Sequence, residues 1–243
     1  KNQNFNGIDD EFKNQKFKAS LGVGFDLNRD TMFLISGGYQ ISNVTGSIDD
    51  SQNKKIKFPY FEITLTHDSR DSIMFPTKGV YFKSEYVMAD SKEADFNSLY
   101  SRGEVNIPIG RFTLTPSISY VTSDGEKIPE TYFPKLGGFR YTDYSLEFSG
   151  IPEDKLRGNS ILVGKMNLQY QLSKFLYADA NASFAKLSDK SYSFNGRTRE
   201  SYGVGIGAKL PTGPIYFGLS KSPGESVRYF FNLGYQPKGF NEE

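Results

Sequence analysis

Few residues in this chain could carry chemistry. His67 is the only histidine and sits beside Asp68. An imidazole next to a carboxylate is half of a general-base arrangement, but no nucleophile accompanies it in a recognised motif. A polar residue at a strand end is the simpler reading. There is no cysteine, so thiolate nucleophiles, thiolate metal sites and disulfides are excluded, and one histidine cannot build a multi-histidine centre. Asp49 and Asp50 lie in a long polar segment, where a carboxylate pair either attracts calcium or is simply solvated. Gly203, Gly205 and Gly207 resemble a phosphate loop only superficially. No helix follows to supply an anion-binding N-terminus, and they read as small residues in a tightly curved strand. Neither a metal nor a cofactor is expected, and the chain is expected to be non-catalytic.

The charged residues nearly cancel, with 29 basic against 28 acidic over 243 residues. That balance excludes a basic nucleic-acid footprint as the main function. Only 37% of residues are hydrophobic, yet 15% are aromatic, too many for a disordered chain. No apolar run approaches the roughly 18 residues of a transmembrane helix. The opening Lys1–Phe12 stretch lacks the charged-then-apolar layout of a signal peptide and reads as the start of a mature fragment or an excised domain. The apolar residues must therefore be hidden by pattern rather than by runs.

That pattern has period two. Phe17, Ala19, Leu21, Val23, Phe25 and Leu27 alternate with Lys18, Ser20, Gly22, Gly24 and Asp26, the signature of a strand whose successive side chains point to opposite faces. The same alternation recurs over 80–88, 112–120, 162–172, 176–184, 204–210, 215–219 and 227–235, and more weakly over 31–44, 56–67 and 96–109. Eleven strands follow, each near the 9–11 residues that a tilted strand needs to cross a bilayer. No segment carries a helical period. The first strand needs a predecessor if both termini lie on one side, and only 1–12 is available, giving about 12 strands.

Connections of two kinds alternate along the chain. Segments 28–30, 110–111, 173–174 and 211–214, with the medium turn 68–78, are short; 45–55, 90–95, 122–159 and 186–200 are read as long and polar. Short turns at one end and long loops at the other are what an outer-membrane barrel shows. One strand face carries Lys18, Glu62, Lys83, Glu85, Arg102, Glu104, Lys165, Asp179, Lys209 and Arg228, and the other is aliphatic and aromatic. Alternation alone also fits a soluble barrel; the loop asymmetry favours the membrane. The expected fold is an all-β transmembrane antiparallel barrel, one domain over 1–243. Residues 1–16 form a first strand or loop, 17–240 the barrel, and loop 122–159 folds into the lumen. The interior charges then either line a pore or neutralise one another around that loop.

Three stretches resemble the barrels of the BamA/TamA (bacterial surface antigen) superfamily. Asp68, Arg70, Asp71, Pro76, Lys78 and Gly79 match its turn of the form D-x-R-D-x-x-x-x-P-x-K-G. Residues 132–144 are similar to its loop with a hydrophobic-Arg-Gly-aromatic tip, here Gly137, Gly138, Phe139, Arg140 and Tyr141, with the glycines before the arginine. The end of the chain, with Tyr229, Phe231, Leu233 and Tyr235, matches the last hairpin and its assembly signal. The resemblance implies that Arg140 enters the lumen to meet Asp179, in the YADAN stretch at 177–181. Guanidinium–carboxylate pairs tolerate partial desolvation.

The loop from 136 to 159 looks most like that of type Vd autotransporters carrying patatin-like phospholipases. This implies an upstream lipase domain and linker; the G-x-S-x-G elbow of such a lipase is not in this sequence. The expected function is an outer-membrane anchor and translocator for such a passenger. The implied partners are outer-membrane lipid, the barrel-assembly machinery, the passenger domain of the same chain and, as in some relatives, a second copy. The alternatives are an assembly or secretion barrel of the BamA/TamA kind, a small porin, or a soluble ligand-binding barrel.

Overall fold

The computed structural model describes residues 13–45, 54–139 and 144–234. Among the described residues it is all-β apart from one turn of 3-10 helix at Glu130–Tyr132. Eleven long strands form one antiparallel sheet: β1 Lys13–Asn28, β2 Thr31–Thr45, β3 Lys54–Asp68, β4 Gly79–Asp90, β5 Asp95–Ile109, β6 Phe112–Lys127, β10 Ser160–Gln171, β11 Leu176–Ser188, β12 Arg197–Leu210, β13 Gly213–Lys221 and β14 Arg228–Leu233. Each pairs with its chain neighbours, in the order β1 to β6 and then β10 to β14. Between β6 and β10, three two-residue strands, β7 Lys135–Leu136, β8 Ser145–Leu146 and β9 Leu156–Arg157, make a separate small sheet.

The two faces follow the period-two reading. On β1, Phe17, Leu21, Val23, Phe25 and Leu27 are all exposed, Leu21 at 88%. On β4, Val80, Phe82 and Met88 are exposed while Tyr81, Glu85 and Val87 are buried. Tyr229, Phe231 and Leu233 of β14 project from the apolar face at 77%, 65% and 68% exposure; Tyr235 lies outside the described residues. A contiguous apolar surface of this extent marks a face that meets another apolar phase. Among the described residues no helix is long and apolar enough to cross a membrane, which says nothing of crossing by strands.

The sheet is rolled. Tyr132, in the segment between β6 and β10, lies beneath Lys16 and Lys18 of β1 and donates to Gln40 Oε1 of β2 at 2.7 Å. Its ring meets Phe58 of β3 and Phe96 of β5. Farther along the same segment, Ser149 bonds to Ser201 of β12 and Phe139 stacks on Phe230 of β14. One segment touching the same face of β1, β2, β3, β5, β12 and β14 requires that the sheet curve around it.

The strands run farther than the alternation alone indicated. β4 and β5 extend to a tight turn at 91–94, where Ser91 Oγ accepts from the Ala94 amide at 3.1 Å, so 90–95 is short rather than long. β6 continues to Lys127, leaving 128–159 as the long loop, and 189–196 links β11 to β12. The end of β6, with Thr122, Ser123, Asp124, Glu126 and Lys127, is polar enough to read as loop. Residues 1–12, assigned to a twelfth strand, and Asp49 and Asp50 lie outside the described residues.

Candidate functional site: an occupied lumen

The long-loop half of the lumen holds an apolar core. Tyr132, Leu136, Tyr144, Leu146, Phe148 and Ile151 of the loop are buried against Phe58, Val87, Phe96, Val121, Ile161 and Leu187 of the barrel wall. The interior is therefore not uniformly hydrophilic, as a polar face of small and charged residues suggested. Near the loop, the inward positions of β3, β4, β6, β10 and β11 turn apolar and meet apolar residues that have no period. The loop is also tied by polar contacts: Lys165 to Glu147 Oε1 at 2.8 Å, Tyr144 Oη to Glu85 Oε1 at 3.3 Å, and Ser123 Oγ to the Tyr132 carbonyl at 2.6 Å.

Backbone geometry fixes the loop tip. Gly137 and Gly138 have φ of +142° and +76°, in the region that favours glycine. A Cβ on Gly137 would sit 1.9 Å from the Pro152 carbonyl oxygen. Phe139, the next residue, stacks on Phe230 with centroids 3.7 Å apart. Arg140 and Tyr141 lie outside the described residues. Asp179 faces inward as strand parity requires, and its described partner is Tyr216, which donates its hydroxyl to Oδ1 at 2.8 Å. The sequence reading did not find Tyr216. Its inward position on β13 was legible from parity, but its partner was not.

The other inward charges are mostly paired. Lys18 meets Glu62 at 3.1 Å and Lys83 meets Glu85 at 2.6 Å. Lys209 departs from the expectation: it lies near the short-turn end of β12 and is exposed. His67, at the end of β3, shares a hydrogen bond with Thr31 across β2–β3 at 2.9 Å, the strand-end position anticipated for it.

Turn 69–78 is the second structured element at the lumen. Arg70 grips Asp68 with two contacts, Nε to Oδ1 at 2.8 Å and Nη2 to Oδ2 at 2.7 Å, and reaches Glu104 Oε1 of β5 at 2.7 Å through Nη1. Arg102 holds the other Glu104 oxygen at 2.6 Å, and both guanidinium groups lie over the Tyr81 ring. Asp71 accepts from the Thr77 hydroxyl, the Thr77 amide at 2.8 Å and the Lys78 amide at 3.3 Å. Burial pushes its carboxyl pKa up, but these hydrogen bonds outweigh that and hold it below the ordinary value. Gly79 closes the turn at φ +104°, where a Cβ would meet the Ser69 carbonyl at 2.4 Å. The turn motif is thus a self-bracing unit in which the Arg70 and Asp71 side chains and the backbone of Pro76, Lys78 and Gly79 each have a structural task.

The turn also carries Phe75, 4% exposed, away from β3 and β4. Its ring stacks on Tyr177 of β11 at 4.7 Å with planes 7° apart. Next to it, Gln169 of β10 donates to the Pro76 carbonyl at 3.3 Å. A Cβ on Gly207 would lie 2.4 Å from the Phe75 ring, and one on Gly205 2.0 Å from the Tyr216 hydroxyl. The glycines of β12 therefore make room for interior aromatic rings, a role beyond curvature.

A rolled antiparallel sheet with an apolar exterior and a lumen occupied by its own loop defines an outer-membrane β-barrel. A family model of the OMP85 superfamily matches residues 10–236; this chain belongs to the OMP85 superfamily and is a protein of the bacterial outer membrane. Among solved structures, BamA from Haemophilus ducreyi lacking POTRA domains 1–3 matches with a TM-score of 0.70 at 13% identity, over 90% of this chain and 54% of that one. This chain thus spans about half the length of that structure. No curated protein matches the sequence.

Proposed function

We propose that this barrel is the outer-membrane anchor and translocator domain of an autotransported patatin-like phospholipase, itself without catalytic activity. Its partners are then the upstream passenger of the same chain, outer-membrane lipid, the machinery that assembles barrels and a second copy of the chain. The observation that carries the reading is the loop. Tyr132, Leu136, Tyr144, Leu146, Phe148 and Ile151 fill the long-loop half of the lumen with buried side chains, which suits a barrel that anchors and escorts a polypeptide better than an open porin. The sequence of that loop resembles the type Vd group.

A second reading, an assembly barrel acting on other proteins, is favoured by the BamA-like fold. The two separate in one experiment. The full-length gene product is expressed in a bacterium, and surface exposure of the upstream segment is followed by protease shaving, with and without the barrel. The proposal expects a patatin-type G-x-S-x-G elbow upstream and loss of its surface exposure when the barrel is deleted. Several tandem POTRA repeats with no lipase would favour the assembly reading and overturn the first. Phospholipid hydrolysis by the isolated chain would overturn the non-catalytic assignment.

A further inference from the structure

Five aromatic rings connect the two structured elements of the lumen. Tyr177 stacks on Phe75 at 4.7 Å, Phe75 lies 6.5 Å from Tyr216, Tyr216 stacks on Phe230 at 5.2 Å, and Phe230 stacks on Phe139 at 3.7 Å. Phe75 belongs to turn 69–78 at the short-turn end, and Phe139 to the loop tip that descends from the other end. The rings between them stand on β13 and β14, the last two strands of the sheet. The wall is cut away beneath the column: a Cβ on Gly205, Gly207 or Gly218 would fall 2.4, 2.4 and 2.3 Å from the rings of Tyr216, Phe75 and Phe230.

The turn itself bridges the lumen. Arg70 fixes one side to β5 through Glu104, while Phe75 and the Pro76 carbonyl fix the other to β10, β11 and β13. In the sheet, β5 is separated from β10 by β6 and from β13 by β6, β10, β11 and β12.

We propose that turn 69–78 is a second plug, closing the short-turn end by seating Phe75 among these rings, and that the aromatic column couples its release to that of the loop tip at Phe139. The coupling follows from shared partners. Tyr216 is packed by Phe75 of the turn and Phe230 by Phe139 of the loop tip, so withdrawal of either removes one neighbour from a wall pair whose two rings also stack on each other. Movement of β13 and β14 would disturb both plugs at once. The inference needs only the membrane barrel, not a particular passenger.

The natural absence of cysteine gives a clean test. The chain, reconstituted in phospholipid vesicles, carries a single reporter: Ser72→Cys in the turn, or Ser149→Cys in the loop. Thiol labelling rates with a small polar maleimide are measured in the parent, in Phe75→Ala and in Phe139→Ala. The proposal expects Phe75→Ala to speed labelling at Ser149→Cys, and Phe139→Ala to speed labelling at Ser72→Cys. Each should rise by roughly fivefold, the equilibrium change that one buried aromatic pair commands. Both cross-effects should be accelerations, because each substitution removes a ring from the same column.

If each substitution speeds labelling only at its own end, the coupling is wrong. If Phe75→Ala leaves Ser72→Cys labelling unchanged, the second plug is wrong. Should Phe75→Ala fail to assemble, as read from heat-dependent gel mobility, Phe75→Leu and Gly207→Ala carry the same comparison, since an added methyl at 207 intrudes on the Phe75 ring.

Discussion

Replacing Arg70 tests whether the turn is braced as its geometry indicates. The guanidinium makes two contacts to Asp68, one to Glu104 and a stacking contact with Tyr81, its carbon 4.3 Å from the ring centroid. The Arg70 and Glu104 side chains are 8% and 6% exposed, Asp68 37%. Removing one member of a buried ion pair costs about 3–5 kcal/mol, because the other charge is left desolvated. Here Glu104 keeps Arg102 and Asp68 reaches water, so Arg70→Ala should fall at the low end, about 3 kcal/mol. Arg70→Lys keeps the charge but loses the fork geometry and the planar stacking, for about 1–2 kcal/mol. Urea titration of the vesicle-inserted barrel, with the folded fraction read from gel mobility before boiling, measures both through the midpoint at constant slope. The expected order is parent, Lys variant, Ala variant. Equal midpoints for all three would refute the claim that this cluster braces the turn.

Three further outcomes follow from the same structure. Gly79→Ala forces a Cβ into the Ser69 carbonyl at φ +104° and should cost at least about 2 kcal/mol in the same titration; a neutral result would mean that the turn relaxes freely. Met166 and Leu172 both lie on the exposed apolar surface, Met166 near the middle of β10 and Leu172 just past its end. Met166→Arg should therefore cost about 2–4 kcal/mol and Leu172→Arg about 0–1; equal costs would argue against a depth-dependent lipid contact. Because the folded pKa of Asp71 is depressed, the stability it contributes is complete above the unfolded value of about 3.9. That contribution is lost as pH falls through the folded value. Protease-independent labelling of Ser72→Cys by an acid-tolerant thiol reagent should stay flat down to about pH 4 and rise below it, a rise absent in Asp71→Asn.

Strands and faces were legible because period two is a local property. Leu21 outward and Asp179 inward follow from neighbours one residue away. The turn motif was legible as a motif, but not its reach. Nothing near Phe75 announces that its ring rests on Tyr177, some hundred positions along the chain. The glycines at 205 and 207 look like flexibility until the rings opposite them are known. The apolar plug escaped for another reason: Tyr132, Leu136, Tyr144 and Ile151 have no period, since an irregular loop can bury a residue at any spacing. Contacts that depend on closure of the sheet carry no local signal.

The central claim is that the period-two apolar face meets lipid and its opposite face the lumen. The chain has no tryptophan, so Val204→Trp on the outer face and Asn167→Trp on the inner face each report alone. In vesicles of lipid brominated along the acyl chains, fluorescence of the tryptophan at 204 should be strongly quenched and that at 167 left nearly unchanged. Equal quenching at both, or the reverse order, would contradict the account.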